Sequence, residues 1–398
     1  MMLLHIISIV IYCYLAFNVG YLLIFSISGL FNVGLSYTSI EPKMRIVILI
    51  PAYKEDRIIL ETARTTTQHN YPIQKFDTVI IADQLQKETL NSLYSLPVKV
   101  LEVSFEKSTK AKALKQCIQW LPDEYYDIVF IMDADNILTP GCLEKLNHAF
   151  HTGAEVVQLH RTAKNLNTAT AILDAASEEI NNHIFRKGHR TLGLSSAMIG
   201  SGMAFKYNDF KELMIKVDID DNPAEDREIY LELLKMGKVC EYIDNALVYD
   251  EKVQSSLVLE KQRVRWLSAQ LQYARRFWKT ELTTTLSHNI HYLDYAVQTL
   301  LLPRILLLGV TLLCGGIGII LSVFSKAHVV PGILAWILIM MGMFTSLGLS
   351  VFSHIPLIQL TKAMTALPMT FWKFLKASLK SSPNQKEFIH TPKGFIRK

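Results

Sequence analysis

Two carboxylates, Asp133 and Asp135, follow an apolar run of strand type that extends from Ile128 to Met132. Carboxylate oxygens suit a hard divalent cation such as Mg2+, which can take its remaining ligands from phosphates and water. Side chains two residues apart leave an extended strand on the same side, so the two carboxylates can converge on one ion. Acidic residues are also common in ordinary turns after core strands. The pattern alone therefore fits a metal site and a plain turn about equally well.

Other polar residues also fall where predicted strands end. From Arg45 the sequence alternates β-branched runs with helical stretches, which predicts an open, mostly parallel α/β sheet with helices on both faces. Strands are predicted over residues 45–51, 77–82, 98–103, 128–133 and 156–159, and helices over residues 58–69, 110–120 and 169–186. Ligands of such sheets bind outside the carboxyl ends of the strands. Glu55, Asp83 and Asp133 lie at such ends, so this edge of the sheet is the candidate site.

Two further segments carry residue types that suit a ligand site. The Gly/Ser-rich stretch 193–205 allows close backbone approach to a ligand, and a plain loop before a strand would have the same composition. Glu225 and Asp226 open a helix predicted to run to Met236. The helix dipole stabilises carboxylates at that position whether they are catalytic or only capping.

A later helix, predicted over residues 256–277, presents three functional side chains on one face. Gln262, Arg265 and Trp266 occupy positions i, i+3 and i+4. An arginine beside a glutamine and an indole can grip a phosphate and line a sugar pocket. The alternative is a solvated arginine beside a core tryptophan.

The two ends of the chain have the composition of membrane segments. Half of the residues are hydrophobic and 19% are charged, against ~25% charged in a typical soluble domain. Uncharged apolar runs cover residues 3–30, 305–324 and 329–352, and each approaches or exceeds the ~20 residues that cross a bilayer as a helix. The first run is longer than a signal-peptide core and has no basic start, which favours an anchor over a cleaved signal. Residues 362–380 mix aromatic residues with lysines, as an interfacial helix does.

The charge distribution predicts the orientation of these segments. The C-terminal tail is rich in Lys and Arg and the short turn at 325–328 carries one lysine, so the positive-inside rule places the tail in the cytoplasm. With three spans, the central domain is then cytoplasmic as well. The net charge of +5 forms no single basic block, which fits a membrane surface better than nucleic acid. Five scattered cysteines indicate neither a disulfide framework nor a zinc site.

In this order, the motifs resemble those of membrane-embedded family-two glycosyltransferases, in particular the group related to cellulose, chitin and hyaluronan synthases. The resemblance covers about Arg45 to Trp278 and extends to the flanking spans. The segments that carry it are Pro51-Ala-Tyr-Lys-Glu55, Ala82-Asp83, Lys110-Ala-Lys-Ala-Leu114, Asp133-Ala-Asp135, Gly200-Ser-Gly202, Glu225-Asp226 and Gln262-Arg-Val-Arg-Trp266. Each segment is a weak signal singly, and the set in this order is specific.

The resemblance implies a GT-A, Rossmann-like nucleotide-sugar-binding domain with one N-terminal and two C-terminal transmembrane helices. The expected domains are an anchor at 1–33, a cytoplasmic transferase domain at 43–280, a transmembrane hairpin at 288–360, and an interfacial helix with a basic tail at 361–398. The expected location is a bacterial inner membrane, with the transferase domain and the C-terminus in the cytoplasm.

The resemblance also implies residue roles. Asp83 would contact the uracil or ribose of a UDP-sugar, and Lys110 would lie near its diphosphate. Asp133 and Asp135 would hold Mg2+ or Mn2+, with Asp135 as the expected direct ligand, and Asp226 would be the catalytic base. The remaining site residues are Glu55 for the nucleotide sugar and Gln262, Arg265, Trp266, Gly200, Ser201, Gly202 and Glu225 for the acceptor and the diphosphate.

The implied activity is metal-dependent, inverting transfer of a sugar from a UDP-sugar to a glycan or lipid-linked acceptor, in cell-surface polysaccharide synthesis with export partners. Lys54, Gln84 and Lys115 depart from the usual motifs and leave the nucleotide preference open. Three spans are fewer than those of the large synthases, which leaves processive synthesis and single transfer both open. Two other classes are a non-catalytic nucleotide-sugar-binding regulator on a degenerate fold and a membrane-tethered nucleotidyltransferase.

Overall fold

The computed structural model describes residues 2–31, 40–216, 225–324, 330–351 and 355–382. Strands and helices alternate up to residue 250, and helices follow. The strands are β1 (Ile46–Tyr53), β2 (Phe76–Asp83), β3 (Lys99–Val103), β4 (Ile128–Ile131), β5 (Ile137–Leu138), β6 (Val156–Ala163), β7 (Met203–Lys206) and β8 (Cys240–Asp250). The helices are α1 (Met2–Ser28), α2 (Ile59–Thr66), α3 (Lys87–Tyr94), α4 (Lys110–Trp120), α5 (Cys142–His151), α6 (Ala169–Asn181), α7 (His189–Thr191), α8 (Tyr207–Lys216), α9 (Glu225–Lys235), α10 (Ser256–Arg275), α11 (Leu282–Ser287), α12 (Ile290–Gln298), α13 (Arg304–Phe324), α14 (Ile333–Val351), α15 (Leu357–Met364) and α16 (Leu367–Lys380). A 3-10 turn covers Ile73–Lys75, and π-helical segments cover Asn182–Gly188 and Arg276–Thr280.

One sheet of eight strands, among the described residues, has the order β3-β2-β1-β4-β7-β6-β8-β5. The first four strands are parallel, as the alternating pattern predicts. β7 runs antiparallel to both of its neighbours, β4 and β6, and β5 runs antiparallel to β8. The connection from β6 to β7 contains α6 and is long enough for a parallel crossover, yet the Gly/Ser-rich stretch leads the chain into β7 antiparallel to β6. The sheet is therefore mixed in its second half.

Helices cover both faces of the sheet, which explains the continuous β-branched run in β1. Val47 and Leu49 face a buried cluster that includes α4, α8 and α9. Ile46, Ile48 and Ile50 face a second cluster that includes α2 and α5. A strand buried on both faces needs apolar residues at every position rather than at alternate positions.

Some elements differ from the sequence-based expectation. α6 ends at Asn181 and the chain continues as a π-helical segment to Gly188, where one helix was predicted to Arg186. Two helices, α15 and α16, replace the single interfacial helix predicted over 362–380. Pro368 lies in the first turn of α16, where a missing N–H costs nothing, and it could not lie inside a continuous helix. The segment 220–224 before α9, the hairpin turn at 325–328 and the tail at 383–398 lie outside the described residues.

Three helices of the described part of the chain are long and apolar enough to cross a membrane: His5–Ser28, Arg304–Phe324 and Ile333–Val351. They agree with the predicted apolar spans. α1 packs on α14, where the Ser26 hydroxyl donates to the Ser346 carbonyl at 2.9 Å. α13 packs on α14 because Gly318 leaves room for the ring of Trp336.

A buried group of charges joins the sheet to α6. We call Arg161, Glu178, Arg186, Asp250 and Lys252 the Glu178 cluster. Glu178 accepts from Arg161 Nη2 and from Arg186 Nη1, both at 2.8 Å. Lys252 Nζ lies 2.9 Å from Asp250 Oδ2 and 3.8 Å from Glu178 Oε2. Burial tends to raise the pKa of Glu178, but the neighbouring cations outweigh burial and hold this pKa well below its usual range.

Replacing Glu178 by Ala is expected to be strongly destabilising, because two arginines and a lysine would remain buried without their shared carboxylate. Breaking such a pair costs about 3–5 kcal/mol, which corresponds to a drop on the order of 10 °C in the apparent melting temperature of a domain of this size. Thermal unfolding of the detergent-solubilised protein measures the change. Glu212→Ala is the matched control, because Glu212 pairs with Lys216 on an exposed helix surface; equal melting temperatures for the two variants would contradict the expectation.

Candidate active site

Asp133 and Asp135 lie in a turn and not on a strand. β4 ends at Ile131, and the Asn136 N–H donates to the Asp133 carbonyl at 3.1 Å. The expectation that Asp133 and Asp135 converge because they share one side of a strand is therefore wrong in its geometry. The turn directs the two side chains to different partners.

Asp133 faces the strand-end edge and is held by a lysine. Lys110 Nζ lies 2.5 Å from Asp133 Oδ1 and also donates to the carbonyl of Gly200. Lys110 is the first residue of α4, and the hydroxyl of Thr109 caps that helix by accepting from the Lys112 N–H at 3.2 Å. The Asp133 side chain is 30% exposed, so an incoming ligand can reach it.

Asp135 is buried and bound by backbone. It is 2% exposed, and its Oδ2 accepts from the Glu251 N–H at 3.1 Å, just after β8. Its other oxygen lies 3.4 Å from Asn136 Nδ2. Asp135 thus fastens the turn to the end of β8, while Asp133 is the more accessible of the two carboxylates.

Asn136 and Ser201 form the frame of this turn, a role that sequence reasoning did not assign to Asn136. The Ser201 hydroxyl donates to Asn136 Oδ1 and accepts from the Asp133 N–H at 2.9 Å. Asn136 Nδ2 also lies 3.4 Å from Asp250 Oδ1. Both residues are fully buried. An amide directly after the carboxylate pair was the only local signal, and its partner lies 65 positions away.

Gly200 brings the N-terminus of α9 to the same place. Its N–H donates to Asp226 Oδ2 at 3.3 Å, while its carbonyl accepts from Lys110. A Cβ built on Gly200 would lie 3.7 Å from both Asp226 Oδ2 and Lys110 Nζ. Lys110, Asp133 and Asp226 therefore meet around the backbone of Gly200. All four residues were predicted to belong to the site.

Glu225 lies within the field of these charges. Burial raises the pKa of Glu225 to about 7, the neighbouring Asp226 charge acts in the same direction, and Lys110 and Arg265 oppose it. Arg265, on α10, is thus close enough to Glu225 to act on its pKa. This places a second cation near the acidic end of α9.

Asp83 lies at the end of β2, in parallel register with Tyr53 at the end of β1. It is 2% exposed, and its Oδ1 has no hydrogen-bond partner among the described residues. Burial raises the pKa of Asp83, and Ser108 and Lys54 act in the opposite direction. Lys54 and Gln84 follow the two strands with φ of 56° each, which is the left-handed region. Lys54 and Gln84, which depart from the usual motifs, thus lie beside the Asp83 carboxylate, whose Oδ1 accepts no hydrogen bond from the described residues.

The remaining predicted residues lie on the surrounding elements. Gln262, Arg265 and Trp266 are half-buried on α10, and the guanidinium of Arg263 covers the Trp266 ring at 4.3 Å. Among the described residues, no hydrogen bond joins Gln262 or Trp266 to the residues that meet at Gly200, which are Lys110, Asp133 and Asp226. Glu55 starts the turn into α2 through its carbonyl, which accepts from Ile59 N–H at 3.1 Å.

The carboxylates of Asp133 and Asp135 fit a divalent cation only if a bound substrate supplies further oxygen ligands. Among the described residues, no group of three or more His, Cys, Asp or Glu side chains could hold a metal ion by itself. Mg2+ is commonly bound by one or two carboxylates together with substrate phosphates. Two carboxylates in one turn, beside Lys110 and an open edge, match that pattern rather than a closed metal site.

The model of the family described as "Glycosyltransferase like family 2" matches residues 42–269, and the chain belongs to that family. This confirms the expected fold class and the expected enzyme class. The likeness to the cellulose, chitin and hyaluronan synthase group stays a prediction. Among curated proteins, none matches this chain.

Many solved structures are similar to this chain, among them the following two. One is the mannosyltransferase PcManGT from Pyrobaculum calidifontis in complex with GDP-Man and Mn2+, with a TM-score of 0.55 and 15% identity over 94% of this chain and 99% of that chain. The other is glucosyl-3-phosphoglycerate synthase from Mycobacterium tuberculosis with Mn2+, UDP and phosphoglyceric acid, with a TM-score of 0.39 and 13% identity over 56% of this chain and 76% of that chain. The first supports the GT-A fold over nearly the whole chain. The second is too distant to add to it.

Gly202 and Gly200 are expected to respond differently to alanine. Gly202 has φ +69° and an added Cβ would lie 3.2 Å from Val248 Cγ2, whereas at Gly200 the nearest atoms would lie 3.7 Å away. Gly202→Ala should cost about 1–2 kcal/mol because an L-residue is strained in the left-handed region. Gly200→Ala should stay within about 0.5 kcal/mol. Melting temperatures of the two solubilised variants measure this, and an equal loss for both would contradict it.

Proposed function

We propose that this glycosyltransferase is a membrane-bound, metal-dependent inverting enzyme that moves a sugar from a nucleotide donor, a UDP-sugar, to a glycan or lipid-linked acceptor. The observation that carries the proposal is the meeting of Asp133, Lys110 and Asp226 around Gly200. Such a site combines a carboxylate for a cation, a fixed ammonium and a second carboxylate at a helix N-terminus.

The donor would bind at the carboxyl ends of β1, β2 and β4. Asp83, with its unused Oδ1, is the proposed contact to the base or ribose. Asp133 and Asp135 would hold Mg2+ or Mn2+, and such an ion would offset the charge of the diphosphate leaving group. The Mn2+ and GDP-Man in the similar mannosyltransferase support this assignment. Because that mannosyltransferase binds GDP-Man, GDP-sugars are included among the donors to be tested.

Asp226 would act on the acceptor in the reaction, and Lys110 would act on the diphosphate leaving group. The acceptor oxygen forms a bond to the anomeric carbon of the sugar while the bond from that carbon to the diphosphate oxygen breaks, and the configuration inverts. Asp226, in the first turn of α9, takes the proton of the acceptor hydroxyl. Lys110 meets the negative charge that develops on the diphosphate. Gln262, Arg265, Trp266 and Glu225 would line the acceptor and diphosphate side.

The three apolar helices support a membrane location. We place the transferase domain, residues 43–280, and the C-terminus in the cytoplasm by the positive-inside rule, with the anchor at 1–33 and the hairpin at 288–360 in the membrane. This arrangement suits cell-surface polysaccharide synthesis, in which a cytoplasmic donor meets an acceptor at the bilayer.

A donor panel tests the proposal. Release of free nucleoside diphosphate is measured for UDP-sugars and GDP-sugars in Mg2+ or Mn2+, with membranes as the acceptor source. Metal-dependent transfer from a UDP-sugar is the expected result. Donor binding without any release would point to a regulator, and release of inorganic diphosphate would point to a nucleotidyltransferase. Transfer from GDP-sugars alone would correct the donor.

Asp226→Asn should lower the transfer rate by roughly 10²–10⁴-fold, the usual contribution of general-base help, while donor binding stays largely intact. Turnover and a donor-induced thermal shift are measured on the same preparation. Asp123→Asn is the matched control, because Asp123 is an exposed carboxylate (73% of its side chain) that precedes β4 at the opposite edge of the sheet. An equal loss of binding and turnover in Asp226→Asn would reassign Asp226 to the donor site.

A further inference from the structure

A second arginine on α10, Arg263, has no role in the chemistry described above and is nevertheless buried. It is 8% exposed, and its Nε lies among the buried atoms without a hydrogen-bond partner in the described residues. Its guanidinium carbon lies 4.3 Å from the centroid of the Trp266 ring and 5.2 Å from that of Phe374 on α16. Arg263 Nη2 donates to Asp174 Oδ1 on α6 at 2.8 Å.

Stability alone is a weak reason for this arrangement. A buried ion pair often contributes no more than well-packed apolar residues of the same volume would. A guanidinium, however, is planar and rigid, so it can hold an aromatic ring in one orientation while it donates to a carboxylate. An arginine at this position therefore fixes geometry in a way that an aliphatic side chain cannot.

The same carboxylate connects Arg263 to the Asp133–Asp135 turn. Asp174 Oδ2 accepts from the Val253 N–H at 3.3 Å. Two residues earlier, the Glu251 N–H donates to Asp135 at 3.1 Å. Residues 251–253 are thus bonded to the turn at one end and to Asp174 at the other.

We infer that Arg263 is a positioning residue that fixes the Trp266 indole, and with it the acceptor wall, relative to the Asp133–Asp135 turn. The inference rests on the proposed function, which assigns Trp266 to the acceptor side. Arg263 touches neither reactant. It acts through the ring that it covers and through Asp174.

Two variants of Arg263 separate geometry from charge. Arg263→Met removes both the charge and the planar group. Arg263→Lys keeps the charge that pairs with Asp174 and lacks the planar face. Lys261→Met is the matched control, because Lys261 is an exposed cation two residues away on the same helix.

Transfer to membrane acceptors and hydrolysis of the donor by water are measured in parallel, together with donor-induced thermal shifts. The ratio of transfer to hydrolysis should fall about tenfold in Arg263→Met and Arg263→Lys, with donor binding unchanged. Lys261→Met should keep the wild-type ratio. Equal loss of transfer and hydrolysis with a lower melting temperature would show a merely structural role, and full transfer by Arg263→Lys would show that charge alone matters.

Fluorescence of Trp266 tests the role of Arg263 without depending on catalysis. If the wild type transfers no sugar, that result rejects the proposed function, and the fluorescence measurement still decides whether Arg263 fixes Trp266. Each protein is paired with its Trp266→Phe counterpart, and the difference gives the acrylamide quenching of Trp266. Quenching should rise at least twofold in both Arg263 variants and stay at the wild-type level in Lys261→Met. Unchanged quenching in Arg263→Met would overturn the inference.

Discussion

Helix α6 carries acidic residues with little solvent exposure that must be neutralised, and the cations that neutralise them come from the elements around the site. Asp174 pairs with Arg263 of α10, and Glu178 pairs with Arg161 of β6. A buried charge without its partner is strongly destabilising. The positions of α10 and β6 relative to α6 are therefore set by charge as well as by packing.

The polar face of α6 also reaches the apolar helices at the C-terminal end of the sequence. Arg304, the first residue of α13, donates to Asn181 Oδ1 at 2.6 Å and to the Ser177 carbonyl at 3.0 Å. A guanidinium at the start of an apolar helix needs acceptors close at hand. α6 supplies them, so the same helix fixes both the sheet strands behind the site and the beginning of a predicted span.

Local patterns in the sequence predicted those parts of the fold that depend on neighbouring residues. α4 begins at Lys110 and ends at Trp120 as expected, because its cap and its apolar spacing are local. Parallel β1, β2, β3 and β4 followed from continuous β-branched runs. The antiparallel direction of β7 was not predicted, because it depends on where the preceding loop leads the chain.

The candidate site could be predicted in its residue types but not in its pairings. Lys110, Asp133 and Asp226 were each identified from a motif, whereas the contact of Lys110 with Asp133 spans 23 positions and that with Gly200 spans 90. The burial of Asp135 was also unpredicted, since its partner is the backbone of residue 251. Arg161 was missed because a charged residue in an apolar strand gives no local sign of its partner. Such contacts are set by the assembled sheet.

Helix α16 connects the predicted span α13 to α10 directly. Gly309 of α13 leaves the space that the Phe371 ring occupies, and three residues later Phe374 lies against Arg263. The Ser381 hydroxyl donates to the Val264 carbonyl at 3.3 Å. Because one short helix contacts both elements, a displacement of α13 relative to the transferase domain would be opposed by contacts on both sides of α16. The orientation of α10 is thus coupled to the apolar helices through α16, in addition to the charge pairs with α6.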